Sequence, residues 1–371
     1  MTAKTTPIPT LIPTLTSADY CSLDTFALDR ERIFHAGWMY VCHVDGLPMG
    51  TKRVFDIVGE SVIVTRSLDG ALHAFANVCR HRGAELCDRS STCAIKGSIR
   101  CRYHSWTYGL DGSLLATPRV DDEFDRDEYG LWQHHVAMWN GMIFVSIAAA
   151  PPALADWIAE HSPSLLKFAE LPVAEYRIGS RSETVVQANW KIIIENYSEC
   201  LHCAVVHPEL TNVIPLYHTG HVIDPDREDG AVTLAAGSVA LTADGCTSQS
   251  VLPGYGDVPE YDGTAVFPNL FFDLGPTSLA LTTIFPVGPD RCVVVSEYLF
   301  GSADVERPDF DPAPEVDFNE LIGAQDYVVC EMVQRGVKSK AFMSGGLTRK
   351  DAYVAEFVDR YLDIRGAVAP N

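Results

Sequence analysis

The sequence is short of positive charge. It carries 28 Lys and Arg against 49 Asp and Glu, a formal net charge of −21 over 371 residues. Nucleic acid and anionic membrane surfaces demand a basic footprint, so the balance argues against both as partners. A cationic ligand or a basic protein partner would be drawn to such a surface, and simple solubility is its other use. No export leader is expected either, because residues 1–10 hold no apolar run long enough for a signal peptide. The one uncharged stretch approaching membrane length, 136–155, is interrupted by Asn140, Gly141 and Pro151-Pro152 and has no basic flank. A buried strand near 142–147, ending at a proline break, is expected there instead. These absences point to the cytoplasm. Without an export signal, the 11 cysteines are expected as buried thiols or metal ligands and not as a disulfide framework. Internal repeats, low-complexity tracts and a G-x-G-x-x-G dinucleotide fingerprint are absent as well.

What is present is patterned. Residues 1–36 mix Pro-rich coil with a short helical pattern near 28–34. From residue 37 the chain turns strand-like. Runs 61–66 and 72–78 face each other across Leu68-Asp69-Gly70, and 105–110 meets 113–116 across Asp111-Gly112, because Asp-Gly tolerates positive φ. Pro151-Pro152 marks a boundary near 150. Beyond it 154–168 and 190–204 read as helices, and 265–274, 278–286 and 291–300 as consecutive antiparallel strands. Helices follow over 318–335 and 349–361, the last with Val354, Phe357, Val358 and Tyr361 on one face. The expected class is α+β. An all-β domain spans 37–150, and a second domain spans 151–371, with a long helix packed across an antiparallel sheet. Segment 1–36 is expected to pack on the second domain, and the length allows each domain its own core.

The first domain contains Cys79-Arg80-His81 and, after a gap of 19 residues, Cys101-Arg102-Tyr103-His104. Two Cys-His pairs suit a [2Fe–2S] centre in which one iron takes two thiolates and the other two imidazoles, an exchange that removes negative charge and raises the potential. Each pair borders an expected strand, which sets the two on loops at one tip of the β domain. Gly83 and Gly97 allow tight turns there. A Cys₂His₂ zinc site is the rival, although zinc fingers usually pair like ligands and here each loop contributes one of each. Cys79-Arg80-His81-Arg82-Gly83 with Cys101-Arg102-Tyr103-His104-Ser105-Trp106 resembles the Rieske motif of ring-hydroxylating and related non-haem iron oxygenases. The resemblance implies Cys79, His81, Cys101 and His104 as cluster ligands, shielded from water by Trp106. The gap is long for the family, so 87–94 is expected to hold an insertion. Only Arg102 and Tyr103 separate the second pair of ligands, so the extra loop cysteines of respiratory Rieske proteins are missing. A lower-potential cluster is implied, with Cys87 and Cys93 as bystanders.

In the second domain Glu195-Asn196-Tyr197-Ser198-Glu199-Cys200-Leu201-His202-Cys203 is followed by His207-Pro208. Two imidazoles and a carboxylate, with positions left open, form the facial triad suited to Fe(II) and O₂. Glu199 and His202, three apart, are expected on one helix face. His202 and His207, five apart, lie about 140° around an ideal helix at about 100° per residue. They can share a metal only if the helix ends or distorts between them, and Pro208 supplies a reason, because the residue before proline leaves the α region. By themselves two such histidines are more often structural, and Cys200-Leu201-His202-Cys203 also admits a zinc or redox reading. The run 189–207 resembles the family's mononuclear-iron motif. That implies His202 and His207 as iron ligands, Glu199 as an acidic bridge to the cluster of a neighbouring subunit, and Asn196 as the asparagine beside the iron. Its Glu-Cys-x-His-Cys form is that of the choline, carnitine and betaine-type oxygenases. The run from Asp326-Tyr327 resembles the late motif whose leading Asp completes the triad, with Glu331 and Glu320 as rivals to Asp326.

The resemblance spans 38–361. It implies an all-β Rieske [2Fe–2S] domain joined to a helix-grip, START-like catalytic domain, in a homotrimeric ring where each cluster serves the iron next door. It further implies a mono- or dioxygenase that uses O₂ on a small organic substrate. Lacking a dinucleotide fingerprint and a second cluster motif, the chain would draw electrons from NADH or NADPH through a separate reductase or ferredoxin. The acidic composition and the Glu-Cys-x-His-Cys form point to hydroxylation or oxidative N-demethylation of a methylated ammonium compound. Tyr217, Tyr255, Tyr261, Phe267, Phe271 and Phe272 are candidates for a cation–π cage. The alternatives are hydroxylation or O-demethylation of an aromatic acid, which needs an Arg or Lys in the pocket, and a pure electron carrier.

Overall fold

A computed structural model describes residues 11–88, 93–94, 97–121 and 123–366. Half of the expected insertion over 87–94, and the side chain of Cys93, lie outside these residues. The two Asp-Gly pairs turn the chain as expected. Glu60–Arg66 and Leu72–Ala76 pair antiparallel with Gly70 at φ +89°. Gly112, at φ +83°, turns the chain between Thr107–Gly109 and Leu114–Ala116. A side chain at Gly112 would sit 2.4 Å from the Phe75 ring, so the position needs glycine twice over. A seven-stranded antiparallel sheet results, in the order Met39–His43, Met142–Ser146, Gln133–Trp139, Leu72–Ala76, Glu60–Arg66, Thr51–Ile57, Cys93–Ala94. Ser98–Arg100, Thr107–Gly109 and Leu114–Ala116 form a second, three-stranded sheet. Met142–Ser146 is buried at every position, the strand expected in the uncharged stretch. Among the described residues no helix is long and apolar enough to cross a membrane.

The second half is a six-stranded antiparallel sheet ordered Arg177–Val186, Arg291–Phe300, Leu279–Gly288, Leu270–Leu274, Glu260–Val266, Val232–Thr233. Two expectations are corrected here. The single strand over 265–274 is two strands, Glu260–Val266 and Leu270–Leu274, that reverse at Phe267-Pro268-Asn269, where Asn269 N donates to Val266 O at 3.2 Å. Pro268 has no N–H to continue a ladder. The helix over 154–168 stops at His161, and a 3₁₀ stretch Pro163–Phe168 follows, because Pro163 cannot sit inside a helix. The long helix Ala313–Val337 lies on the sheet. Its Glu331 Oε1 accepts from Gln187 N (3.0 Å), its Gln334 Oε1 from Asn189 N (2.8 Å) and its Glu320 Oε1 from Ser182 Oγ (2.5 Å). The last helix, Ala352–Gly366, buries Val354, Phe357, Val358 and Tyr361.

The expectation of separate cores holds at one place only. A small core of Phe75, Cys79, Cys101, Trp106 and Tyr108 lies under the Cys-His loops. A far larger cluster, with Phe34, Met39, Ile143, Trp190, Phe272 and Tyr361, crosses the boundary near 150, and two smaller ones, around Ile214 and around Tyr298, lie within the second half. A fully buried ion pair ties in the N-terminal segment. Lys191 Nζ lies 2.5 Å from Asp29 Oδ2, and Trp190 Nε1 and the Tyr361 hydroxyl also donate to Asp29, at 3.1 and 2.9 Å. Removing one member of such a pair costs about 3–5 kcal/mol, because the other charge stays buried.

Candidate metal centres

The two Cys-His loops are built alike. Cys79 N donates to Ala84 O (2.8 Å) and Gly83 N to Cys79 O (3.0 Å); Cys101 N donates to Trp106 O (2.8 Å) and Ser105 N to Cys101 O (3.0 Å). In each loop the fourth residue after the cysteine is left-handed, φ +72° at Gly83 and +63° at Ser105. Glycine announces that turn in the sequence and serine does not. Cys79 and Cys101 are buried, whereas His81 is exposed and His104 half-buried, their rings 4.7 Å apart. Trp106 stacks on His81 at 4.7 Å and 5°. Its buried Nε1 has no hydrogen-bond partner among the described residues. The Tyr108 hydroxyl, which nothing in the sequence singled out, lies 3.3 Å from Cys79 Sγ and accepts from Arg80 N at 3.1 Å. Sulfurs held away from water and imidazoles near the surface suit a mixed Cys/His [2Fe–2S] cluster.

At the second site the helix expected over 190–204 ends early, at Tyr197. Ser198 Oγ turns back onto Ile194 O at 2.7 Å. Glu199 and His202 therefore do not share a helix face, yet Glu199 Oε1 reaches His202 Nδ1 at 2.6 Å. His202 begins a short helix, Cys203–Val206, and His207 ends it at φ −122°, ψ 63°, outside the α region as Pro208 requires. The break also overturns part of the cysteine expectation. Cys200, in the break, and Cys203, which opens the short helix after it, are joined by a disulfide, Cα–Cα 5.0 Å. Cys87 is buried and accepts from Lys52 Nζ at 2.6 Å.

The long helix brings Asp326 to the two histidines. Its Oδ1 lies 3.2 Å from His202 Nε2 and 2.9 Å from His207 Nε2, and the three donor atoms fall within 4.8 Å of one another. The rivals lie elsewhere, Glu331 on Gln187 N and Glu320 on Ser182 and Tyr298. Asn196 Nδ2 stands 3.4 Å from His202 Nε2. Each imidazole is anchored by its other nitrogen, His202 Nδ1 by Glu199 and His207 Nδ1 by Gln325 Oε1 at 2.7 Å, so both rings turn Nε2 toward Asp326. Gln325 is held in turn by Glu209, its Nε2 donating at 3.0 Å. The only sequence signals of those two were adjacency to Asp326 and Pro208. Burial works against a charged His202, but its hydrogen bonds to Asp326 and Glu199 outweigh burial and raise its pKa to about 9. Burial works against the Asp326 anion too, and the histidines still hold it below the usual carboxylate range. Two imidazole nitrogens and one carboxylate oxygen are a donor set that fits Fe(II).

A cavity of about 590 Å³ opens on this triad. Of the expected aromatic cage, Tyr217, Tyr261, Phe267 and Phe271 line it. Two candidates do not. The Tyr255 hydroxyl donates to Glu260 O at 2.6 Å, and the Phe272 ring stacks on Phe168 at 4.5 Å. Tyr197 and Asp273, absent from the expected set, line it as well.

Residues 37–135 match the Rieske [2Fe-2S] domain model, and residues 173–366 match the catalytic-domain model of ring-hydroxylating alpha subunits. The chain is 31% identical to the glycine betaine monooxygenase oxygenase subunit of Chromohalobacter salexigens, over 91% of this chain and 82% of that one. It is 28% identical to the carnitine monooxygenase oxygenase subunit of Acinetobacter pittii, over 90% and 87%. Among solved structures, a quaternary ammonium Rieske monooxygenase superposes with a TM-score of 0.80 at 23% identity, covering 96% of both chains. Naphthalene 1,2-dioxygenase from Rhodococcus sp. superposes with a TM-score of 0.73 at 19% identity, over 96% and 95%. At those identities the structural likeness is one of fold. The chain belongs to the ring-hydroxylating oxygenase alpha-subunit family, and is an oxygenase with a Rieske [2Fe–2S] cluster and a mononuclear iron.

Proposed function

We propose that this oxygenase acts on a methylated ammonium compound, hydroxylating it or removing an N-methyl group oxidatively. In this reading Cys79, His81, Cys101 and His104 hold the cluster, and His202, His207 and Asp326 hold the iron. The observation that carries the substrate class is the cavity beside that triad, where seven carboxylates stand against three basic side chains among tyrosines and phenylalanines. Carboxylates attract a cation and aromatic faces bind one. An aromatic acid would meet the opposite charge pattern. Relatives named for glycine betaine, carnitine and choline support the same class.

When bound, the cluster supplies single electrons, and the iron activates O₂ for insertion into a C–H bond. The residues provide the rest. Glu199 and Gln325 fix the two imidazoles, and Val266, Phe267 and Leu270 make the cavity wall apolar. Hydroxylating an N-methyl group consumes O₂, two electrons and two protons and yields water and an N-hydroxymethyl compound. Its C–N bond then breaks to give formaldehyde and the demethylated amine. The electrons come from a separate reductase or ferredoxin drawing on NADH or NADPH.

The reading includes a homotrimer. Glu199 is half-buried, with Leu201 and Val205 exposed beside it, and a carboxylate there can also accept from a cluster histidine of a neighbouring subunit. With a surrogate reductase, quaternary amines should stimulate NADH and O₂ consumption with stoichiometric formaldehyde, and benzoate-like acids should not. Coupled turnover of the acids would reverse the assignment.

A further inference from the structure

One wall of the cavity is organised around a single carboxylate. Alternation along Leu270–Leu274 puts Phe271 and Asp273 on the cavity side and turns Phe272 away onto Phe168. The Tyr197 and Tyr261 hydroxyls both donate to Asp273 Oδ1, at 2.6 and 2.5 Å. Among the described residues, Oδ2 accepts no hydrogen bond. Gly263, paired directly opposite Asp273, makes the convergence possible. A Cβ there would lie 2.3 Å from the Tyr261 hydroxyl and 2.8 Å from that of Tyr197. Tyr197 stacks on Phe271 at 3.8 Å and 4°, and Tyr217 meets Tyr261 edge-on at 6.2 Å. The wall leads to the metal site, because Tyr197 follows Asn196, whose amide reaches His202.

The basic side chains of the same cavity are all engaged. Arg227 spends its three guanidinium nitrogens on Asp229 and Glu260. Lys167 Nζ lies 2.5 Å from Asp262 Oδ1. Arg360 binds Glu356 at 2.9 Å and the His161 carbonyl. A carboxylate on the substrate would find no uncommitted cation among them and would meet Asp273 and Glu320 as like charges.

We propose that the substrate is a methylated ammonium cation with no acidic group of its own, its nitrogen held against Asp273 and the rings of Tyr197, Tyr261 and Phe271. This rests on the ammonium reading above and narrows it to choline-like compounds as opposed to carboxylate-bearing ones. Two effects combine, charge attraction to Oδ2 and cation–π contact with rings whose hydroxyls are already committed to Oδ1. Burial raises the Asp273 carboxyl to about 6 against the two phenol bonds, so it is ionised at neutral pH, and a bound cation offsets its desolvated charge.

The test is calorimetric binding to the holoenzyme with three probes: choline, glycine betaine, and 3,3-dimethylbutan-1-ol, the uncharged isostere of choline. Choline should bind about tenfold or more tightly than either of the others. Asp273→Asn keeps an acceptor for both phenols and removes the charge. It should sharply reduce the preference for choline over the isostere, to what the aromatic rings alone supply, and leave the affinity for the isostere unchanged. Iron content and cluster reduction should match wild type, showing an intact fold. Glycine betaine binding as tightly as choline would overturn the proposal while leaving the ammonium reading standing. So would equal weakening of choline and isostere in the variant, which would make Asp273 only a clamp on the tyrosines. If neither ammonium compound binds or turns over, the ammonium reading itself fails and the proposal with it.

Discussion

The Gln325 side-chain oxygen lies 2.7 Å from His207 Nδ1, one residue before the carboxylate that faces Nε2 of the same ring. Consecutive residues of one helix thus hold both nitrogens of a single imidazole. Gln325→Leu removes the outer acceptor at nearly constant volume and leaves Asp326 in place. Iron affinity, measured by chelator competition, should fall about 10–100-fold, with the cluster spectrum unchanged. Unaltered affinity would mean that burial alone orients His207.

Asp326→Ala should abolish mononuclear iron binding and turnover while the protein keeps the absorption and EPR spectra of its [2Fe–2S] cluster. Iron per chain is the measurement. Retention of the full iron complement would move the third ligand elsewhere, with Glu331 next to be tested.

Glu199→Gln keeps the size of the side chain and its reach to His202 but removes the charge. Both metals should bind and the reductase should still reduce the cluster, while reoxidation of the reduced cluster by O₂ with substrate present slows sharply. Stopped-flow absorbance follows this directly. Wild-type reoxidation rates would make Glu199 an ordinary surface acid and send the electrons by another route.

Burial raises the Glu195 carboxyl to about 8, although the Tyr20 hydroxyl (2.9 Å) and the Lys191 charge pull it down. Its ordinary value is 4.5, so between these limits the folded chain retains a proton that the unfolded chain has released. Stability contributed by this group therefore falls as pH rises from about 4.5 to about 8 and then levels off. Glu195→Gln can still accept from Tyr20 and carries no proton to lose. Thermal unfolding should show variant and wild type alike near pH 4.5 and the variant more stable at pH 8. A parallel pH dependence in both would assign the slope to another group.

The parts legible in the chain are those whose causes are local. Asp69-Gly70 and Asp111-Gly112 make hairpins because the residue itself tolerates positive φ. The spacing of Val354, Phe357, Val358 and Tyr361 makes a buried helix face because the helical period is intrinsic. Cys79 with His81, and Cys101 with His104, are brought to neighbouring positions by loops only a few residues long. The N-terminal limit of the iron-site loop was not legible. No Pro or Gly marks the end of the helix at Tyr197, and the run through Ala204 stays apolar enough to continue it.

The family resemblance favoured Asp326 over Glu331 and Glu320, a choice that residue type and spacing alone could not make. All three are acids on one helix, and what separates them is the direction each takes from the helix axis toward histidines more than a hundred residues away. Tyr197 and Asp273, 76 positions apart, meet only because Gly263 leaves room on the strand opposite. The sequence by itself determined the α+β class, the hairpins and the kinds of donor available, since each follows from the conformational preferences and chemistry of adjacent residues. The tertiary structure alone decided which nitrogen of each imidazole is anchored and which basic side chains of the cavity are already neutralised. Those outcomes depend on how the long helix settles on the sheet, and close packing fixes that relation across the whole chain at once.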